Sequence, residues 1–297
     1  MDEVLVLDGG TGRELKRRGA PFRQPEWSAL ALIEGPAFVS AVHAAYVQAG
    51  ANVITTNSYA VVPFHLGAER FAAEGEGLAS LSGRLAREVA NGAPSAVQVA
   101  GSLPPICGSY RADLFDAEEA RPILATLIRG LSPFVDLWLA ETLSTIAEAE
   151  LVRALLGDDG RPLWLSFTLS DETVVAGDPR LRSGQSVSDA VAAAVRLGAA
   201  AVLFNCSQPE VMADAVRVAG DVLRQLWANI RIGVYANAFP PQKQDATANA
   251  VVLDIREDLT PEGYLAFARA WQAEGANIIG GCCGIGPEHI AALRQQL

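Results

Sequence analysis

Ala276-Asn277-Ile278-Ile279-Gly280-Gly281-Cys282-Cys283-Gly284 reads as a short buried strand that ends in two adjacent thiols held between glycines. Glu274-Gly275 leads into it as Ala49-Gly50 leads into Ala51-Asn52-Val53-Ile54-Thr55-Thr56, so a helix-stop-strand unit occurs twice. Working outward, apolar or β-branched runs recur at residues 4–8, 52–58, 96–101, 135–141, 163–169, 201–206, 231–236 and 276–281. They are continuous rather than alternating, as strands of a parallel sheet covered on both faces must be. About eight such runs in 297 residues is the count of an α/β chain folded as one (β/α)8 barrel, a single domain over residues 1–297. A doubly wound open sheet shares this periodicity. The chemistry favours the barrel, because Asp8, Thr56, Glu141, Cys206, Asn237, Cys282 and Cys283 all fall at the C-terminal ends of the inferred strands. A barrel gathers those ends around one mouth.

The intervening segments read as helices. In residues 36–50 a proline stands near the start, Val39, Val42 and Tyr46 share a face, and Gly50 ends the run. Residues 261–275 repeat the plan, with Thr260-Pro261-Glu262 opening it, Leu265, Ala268 and Trp271 forming the stripe, and Gly275 closing it.

Composition narrows the function. A net charge of -11 argues against nucleic acid and tolerates a cationic substrate. Four cysteines are too few for a disulfide scaffold and fit a reducing, cytoplasmic setting. The acidic start Met1-Asp2-Glu3 does not read as a secretory signal. Residues 190–204, interrupted by Arg196, read as a buried helix and strand rather than a membrane span.

Cys206, Cys282 and Cys283 arrive at one face from two strand ends, and three thiolates make a good set for one Zn2+ with its fourth position open. Buried inert thiols and a redox pair are the alternatives, although a bridge between neighbouring cysteines is strained and no Cys-x-x-Cys spacing is present. Cys107, alone in Pro105-Ile106-Cys107-Gly108, reads as a small hydrophobe. Gly9-Gly10-Thr11-Gly12 reads as a tight turn rather than a phosphate cradle. His43 reads as a helix residue and His65 as a loop residue, both structural or solvated. His289, in the first turn of the last helix, is a remote candidate for the metal's surroundings. Glu148 and Glu150 read as a solvated helix face, Trp138 as packing, and Asn237 as a turn residue or a site residue.

Asp8-Gly9-Gly10, Gly50-Ala51-Asn52-Val53-Ile54-Thr55-Thr56-Asn57-Ser58-Tyr59, Gly101-Ser102, Glu141-Thr142-Leu143, Asn205-Cys206 and Gly280-Gly281-Cys282-Cys283-Gly284 occur in this order along the chain. Together they resemble the homocysteine S-methyltransferase family. The resemblance implies a (β/α)8 barrel, zinc held by Cys206, Cys282 and Cys283, and homocysteine as methyl acceptor. It also implies that Asp8 and Glu141 hold the acceptor's ammonium group, and that backbone near Gly9 and the Thr56 hydroxyl hold its carboxylate. Asn237 matches a residue that the family places near the site. Two segments depart from the family pattern: residues 103–113, and the stretch after Asn237 through Pro240-Pro241-Gln242-Lys243-Gln244.

The expectation is a zinc-dependent methyltransferase with two small-molecule partners, a thiol acceptor and a sulfonium methyl donor such as S-methylmethionine or S-adenosylmethionine. Tyr110, Tyr235 and Trp27 are candidates to face the cationic donor. The competing readings are a non-catalytic zinc-binding or thiol-sensing barrel, and a methyltransferase for another thiol or a selenol.

Overall fold

A computed structural model describes residues 4–171, 177–241 and 255–297. Met1–Glu3 and the stretch Gln242-Lys243-Gln244 lie outside the described residues. Eight strands alternate with helices: β1 Leu5–Val6, β2 Val53–Thr55, β3 Gln98–Leu103, β4 Leu137–Leu143, β5 Leu163–Phe167, β6 Ala201–Asn205, β7 Arg231–Tyr235 and β8 Ile278–Ile279. Each falls inside or across one of the eight apolar runs. The helices are α1 Thr11–Arg17, α2 Ala29–Glu34, α3 Pro36–Gln48, α4 Pro63–Leu66, α5 Ala68–Asn91, α6 Ala117–Leu131, α7 Ile146–Leu156, α8 Val187–Arg196, α9 Met212–Gln225, α10 Pro261–Glu274 and α11 Pro287–Gln296.

All strand pairs are parallel, in the order β1-β8-β7-β6-β5-β4-β3-β2. The two ends meet through a Leu7–Val53 bridge, with Asp8 N–H donating to the Val53 carbonyl at 3.0 Å. The sheet is therefore a barrel, and the open-sheet alternative is excluded. Two apolar layers hold it. One lies between strands and helices; the other fills the lumen with Leu7, Val53, Leu139, Leu203, Tyr235 and Ile278, against which Cys282 packs.

The repeated Gly-Ala-Asn unit has a structural reason. Asn52 Oδ1 accepts from Val6 N–H at 2.9 Å, and Asn277 Oδ1 accepts from Ile232 N–H at 3.2 Å. Each asparagine enters its strand by stitching it to a neighbour. The helix stops also behave as read: Thr260 caps α10 by accepting from Gly263 N–H, and Gly275 ends it in the left-handed region at φ 115°.

Two readings need correction. His65 lies in the short α4, where its ring bonds the Pro25 carbonyl at 2.9 Å, rather than in a loop. Glu148 is buried rather than solvated: its carboxylate accepts from Ser144 and Thr145 N–H at 2.7 and 2.8 Å, closing a capping box with the Thr145 hydroxyl. Glu150 does face solvent, paired with Arg196 at 2.6 Å. Among the described residues no helix is long and apolar enough to cross a membrane.

Candidate active site and metal centre

The thiols are delivered by locked strand ends. Asn205 closes β6 by accepting from Thr142 N–H at 3.0 Å and Ser166 Oγ at 2.8 Å, while its amide donates to Thr142 Oγ1 at 2.9 Å. Cys206 follows at φ 51° and Thr142 stands at φ 60°, a left-handed backbone that costs free energy for residues with a side chain. Beyond β8, Tyr264 donates its hydroxyl to the Gly280 carbonyl at 2.7 Å and accepts from Ala236 N–H at 3.1 Å. Cys282 N–H then bonds the Ala236 carbonyl at 2.9 Å, and Ala238 N–H bonds the Cys283 carbonyl at 2.8 Å. The sulfurs of Cys206, Cys282 and Cys283 lie within 4.8 Å of one another.

In this structure Cys206 and Cys282 are joined as a disulfide, with Cα atoms 5.8 Å apart, and Cys283 is free. The bridging pair is thus not the adjacent one. It is the pair that β6 and β8 bring face to face. Once reduced, the same side chains offer three soft donors to one point, which suits a thiophilic divalent ion. Burial pushes the Cys283 thiol up to about 11, so it stays protonated at neutral pH unless a cation is supplied.

Beside the thiols stand two buried carboxylates. Asp8 accepts from Thr55 N–H at 2.7 Å and Thr55 Oγ1 at 3.0 Å. Glu141 accepts from Ser102 Oγ at 2.5 Å and Tyr235 OH at 3.3 Å. Among these partners none is cationic. Burial raises both acids to about 7, and the charge of Glu141 adds to the shift of Asp8. Two adjacent carboxylates of this kind are set to receive a cation.

The model of the family described as homocysteine S-methyltransferase matches residues 5–297. This chain belongs to that family. Homocysteine S-methyltransferase from Escherichia coli (strain K12) is 30% identical, with 99% of this chain and 95% of the relative aligned. A selenocysteine methyltransferase from Astragalus bisulcatus is 28% identical over 99% of this chain and 92% of its own length. The metallated form of the homocysteine methyltransferase MmuM from E. coli superposes with a TM-score of 0.78 at 28% identity, covering 100% of this chain and 97% of that one. The chain is accordingly a methyltransferase, and its reaction is methyl transfer to homocysteine.

The residues anticipated for a homocysteine methyltransferase are brought together, with differences in detail. Asp8, Glu141 and the three cysteines meet at the mouth. Gly9-Gly10-Thr11-Gly12 is not the tight turn anticipated: Gly10 is extended at φ -69°, ψ 99° and leads straight into α1, which takes Thr11 and Gly12, while a Cβ on Gly9 would run into the Ile285 carbonyl. Thr56 is buried, but its hydroxyl is engaged. It accepts from Ser102 N–H at 3.0 Å and bonds Ser58 Oγ at 2.9 Å, while Ser58 donates onward to the Ser102 carbonyl. Its one proton therefore goes to Ser58. Asn237 accepts from Phe239 N–H at 3.1 Å, and its side-chain N–H2 is buried without a partner. His289 serves the backbone, accepting from Gly286 N–H and bonding the Leu259 carbonyl at 2.9 Å. Tyr110 already carries the Arg182 guanidinium over its ring at 4.7 Å, and Trp27 packs edge-on to Phe22. Cys107 is half-buried against the core, as read.

Ser102 and Thr55, which orient the two acids, were not singled out by the sequence, although both lie inside quoted motifs. The buried Asp171–Arg182 ion pair, 2.8 Å apart, was not anticipated either, because an ion pair across an irregular excursion has no periodic signal.

Proposed function

We propose that the chain is a zinc-dependent enzyme that moves a methyl group from a sulfonium donor, S-methylmethionine or S-adenosylmethionine, to homocysteine, giving methionine. The observation that carries this reading is the convergence of three cysteine sulfurs and two carboxylates without a basic partner on one barrel mouth. Reduced Cys206, Cys282 and Cys283 would hold Zn2+, whose chemistry there is to make the acceptor thiol acidic near neutral pH. Asp8 and Glu141 would take the acceptor's ammonium group. Backbone near Gly9 and the side chain of Asn237 would supply donors to its carboxylate, and Thr56 would join them by giving up its bond to Ser58.

Methyl transfer then forms one sulfur–carbon bond and breaks another. The acceptor sulfur supplies the electron pair, the donor sulfur keeps the pair it loses from carbon and becomes a neutral thioether, and the acceptor's proton leaves to solvent. No general acid is required, and what remains is positioning. The chain works in a reducing compartment, the cytoplasm, on this reading, since the disulfide form cannot offer three thiolates.

Two measurements test it together. Purified, reduced protein should contain about one zinc per chain. It should also form methionine from homocysteine with S-methylmethionine or S-adenosylmethionine, and little with betaine or methyltetrahydrofolate. A clear preference for betaine or methylfolate would reject the donor. The named activity of the Astragalus relative supports one second reading, a selenol acceptor, which faster turnover of selenocysteine than of homocysteine would establish.

A further inference from the structure

The bottom of the lumen is left open. Strand residues two apart share a face. Arg231 on β7 is therefore in phase with Tyr235, and Gln98 on β3 with Ala100, and both of those belong to the luminal layer. β3 and β7 stand on opposite walls of the barrel. Where these strands begin, Arg231 and Gln98 line a cavity of about 360 Å3 that opens to solvent, floored by Leu5, Leu137 and Trp164 and edged by Asn229. About 13 Å of strand separates Arg231 from Tyr235 at the mouth, and Leu139, Leu203 and Ile278 fill the lumen between. The cavity is thus a place apart from the thiols.

Its charge is one-sided. Two other arginines at this end have their acids, Arg161 with Asp159 and Arg87 with Asp136. Arg231 is partly buried and has no carboxylate within ion-pair distance among the described residues, and its guanidinium reaches the Asn277 carbonyl only at 3.5 Å. A guanidinium carries five donors in a planar fork that matches a carboxylate. None of the ten residues lining the cavity is acidic, so nothing there would hold an ammonium group, and Arg231 would repel one. An amino acid therefore fits poorly. A bare inorganic anion would leave the floor of Leu5, Leu137 and Trp164 in water. The volume is that of a site for a small organic molecule. We propose that the bottom of the barrel binds a small monocarboxylic acid with a hydrocarbon chain and no ammonium group, its carboxylate on Arg231 and its chain on the apolar floor. Such a ligand supplies the acid that Arg231 lacks, and it stabilises the fold because the site exists only in the native state.

Isocaproate is the probe, set against isohexanol, which keeps its skeleton without the charge, and against inorganic phosphate, which keeps a charge without the skeleton. Calorimetry with the wild-type chain should show isocaproate binding at one site, and the unfolding temperature should rise with its concentration. Isohexanol and phosphate should each bind about tenfold or more weakly. Arg231→Gln should weaken isocaproate by about tenfold or more, and so should Gln98→Glu, which sets a like charge at an exposed edge of the cavity. Neither change should alter the homocysteine KM, because both lie at the far end of the lumen. No measurable binding of isocaproate overturns the proposal, as does equal affinity for isohexanol or for phosphate. Binding that Arg231→Gln leaves unchanged, or that homocysteine displaces, would put the acid elsewhere and overturn it as well. If Arg231→Gln does not fold, Gln98→Glu and the wild-type series decide.

Discussion

The two ends of the barrel treat carboxylates in opposite ways. At the bottom, Asp159 is gripped by Arg161 at 2.5 Å and Asp136 by Arg87 at 2.6 Å, while Arg161 also bonds Ser132 and lies over Trp138. The Arg161 guanidinium holds the Asp159 carboxyl well below the usual range. At the mouth, Asp8 and Glu141 receive only hydroxyl and amide hydrogens, and burial lifts them to about 7. An acid that serves the fold has its cation built in. An acid that serves a ligand waits for one, and the protein is less stable for it.

The largest effect that can test this contrast lies at the thiols. Cys282→Ala with Cys283→Ala should remove the zinc and abolish methionine formation, since one remaining sulfur cannot hold the ion. Elemental analysis after gel filtration reads the outcome. Full zinc retention would show that the metal sits elsewhere.

Glu141→Gln should come next. Losing a charge-assisted bond to the ammonium group is worth about 1.5–3 kcal/mol, so acceptor KM should rise by about ten- to a hundredfold while zinc stays bound. Thermal stability above pH 7 should hold or increase, because a neutral amide spares the cost of an ionised buried carboxylate. An unchanged acceptor KM in both Glu141→Gln and Asp8→Asn would remove these acids from the substrate.

The sequence carried the mouth better than its wiring. Strand ends are legible because a buried parallel strand is a continuous apolar run, so whatever polar residue stops it is marked. Asp8, Glu141, Cys206 and Cys282 were found that way. Glu148 was misread as solvated even though Thr145-Ile146-Ala147-Glu148 carries the capping-box spacing, a signal that predicts an inward-turned carboxylate. The bond of Thr56 to Ser102 was not legible, because it joins neighbouring strands whose relative height no local pattern records. The same is true of the disulfide. Cysteines 76 residues apart in sequence meet only because β6 and β8 flank β7.

A smaller effect should appear with pH. Asp8 and Glu141 are protonated in the free folded protein between about pH 4 and 7, where their unfolded counterparts are ionised. The folded state then binds more protons, so these two acids make the ligand-free protein less stable as pH rises through that window. An ammonium ligand reverses the sign. Affinity for norleucine, which has the acceptor's head group but no thiol to confound the titration, should increase with pH and level off above about 7, by roughly tenfold overall. A flat profile in wild type would mean that both acids are already ionised.

The smallest effect belongs to the bottom of the barrel, and there the contrast can be broken most directly. Asp159→Asn removes a partly exposed partner of Arg161, and pairs near the surface are worth about 1 kcal/mol or less. The unfolding midpoint in urea should fall slightly, with acceptor KM, donor KM and zinc content unchanged. Because the folded Asp159 is more acidic than the unfolded one, its contribution is present above the unfolded pKa near 4 and is lost as pH falls below it. The wild-type advantage over Asp159→Asn should therefore vanish in acid, while that of Glu141→Gln over wild type should vanish there as well, for the opposite reason: protonation has already neutralised Glu141. Two acids in one barrel would then converge with their amides at low pH and diverge from them in opposite directions at neutral pH. If Asp159→Asn changed the acceptor KM as much as Glu141→Gln does, the division of the barrel into a stabilising end and a receiving end would not hold.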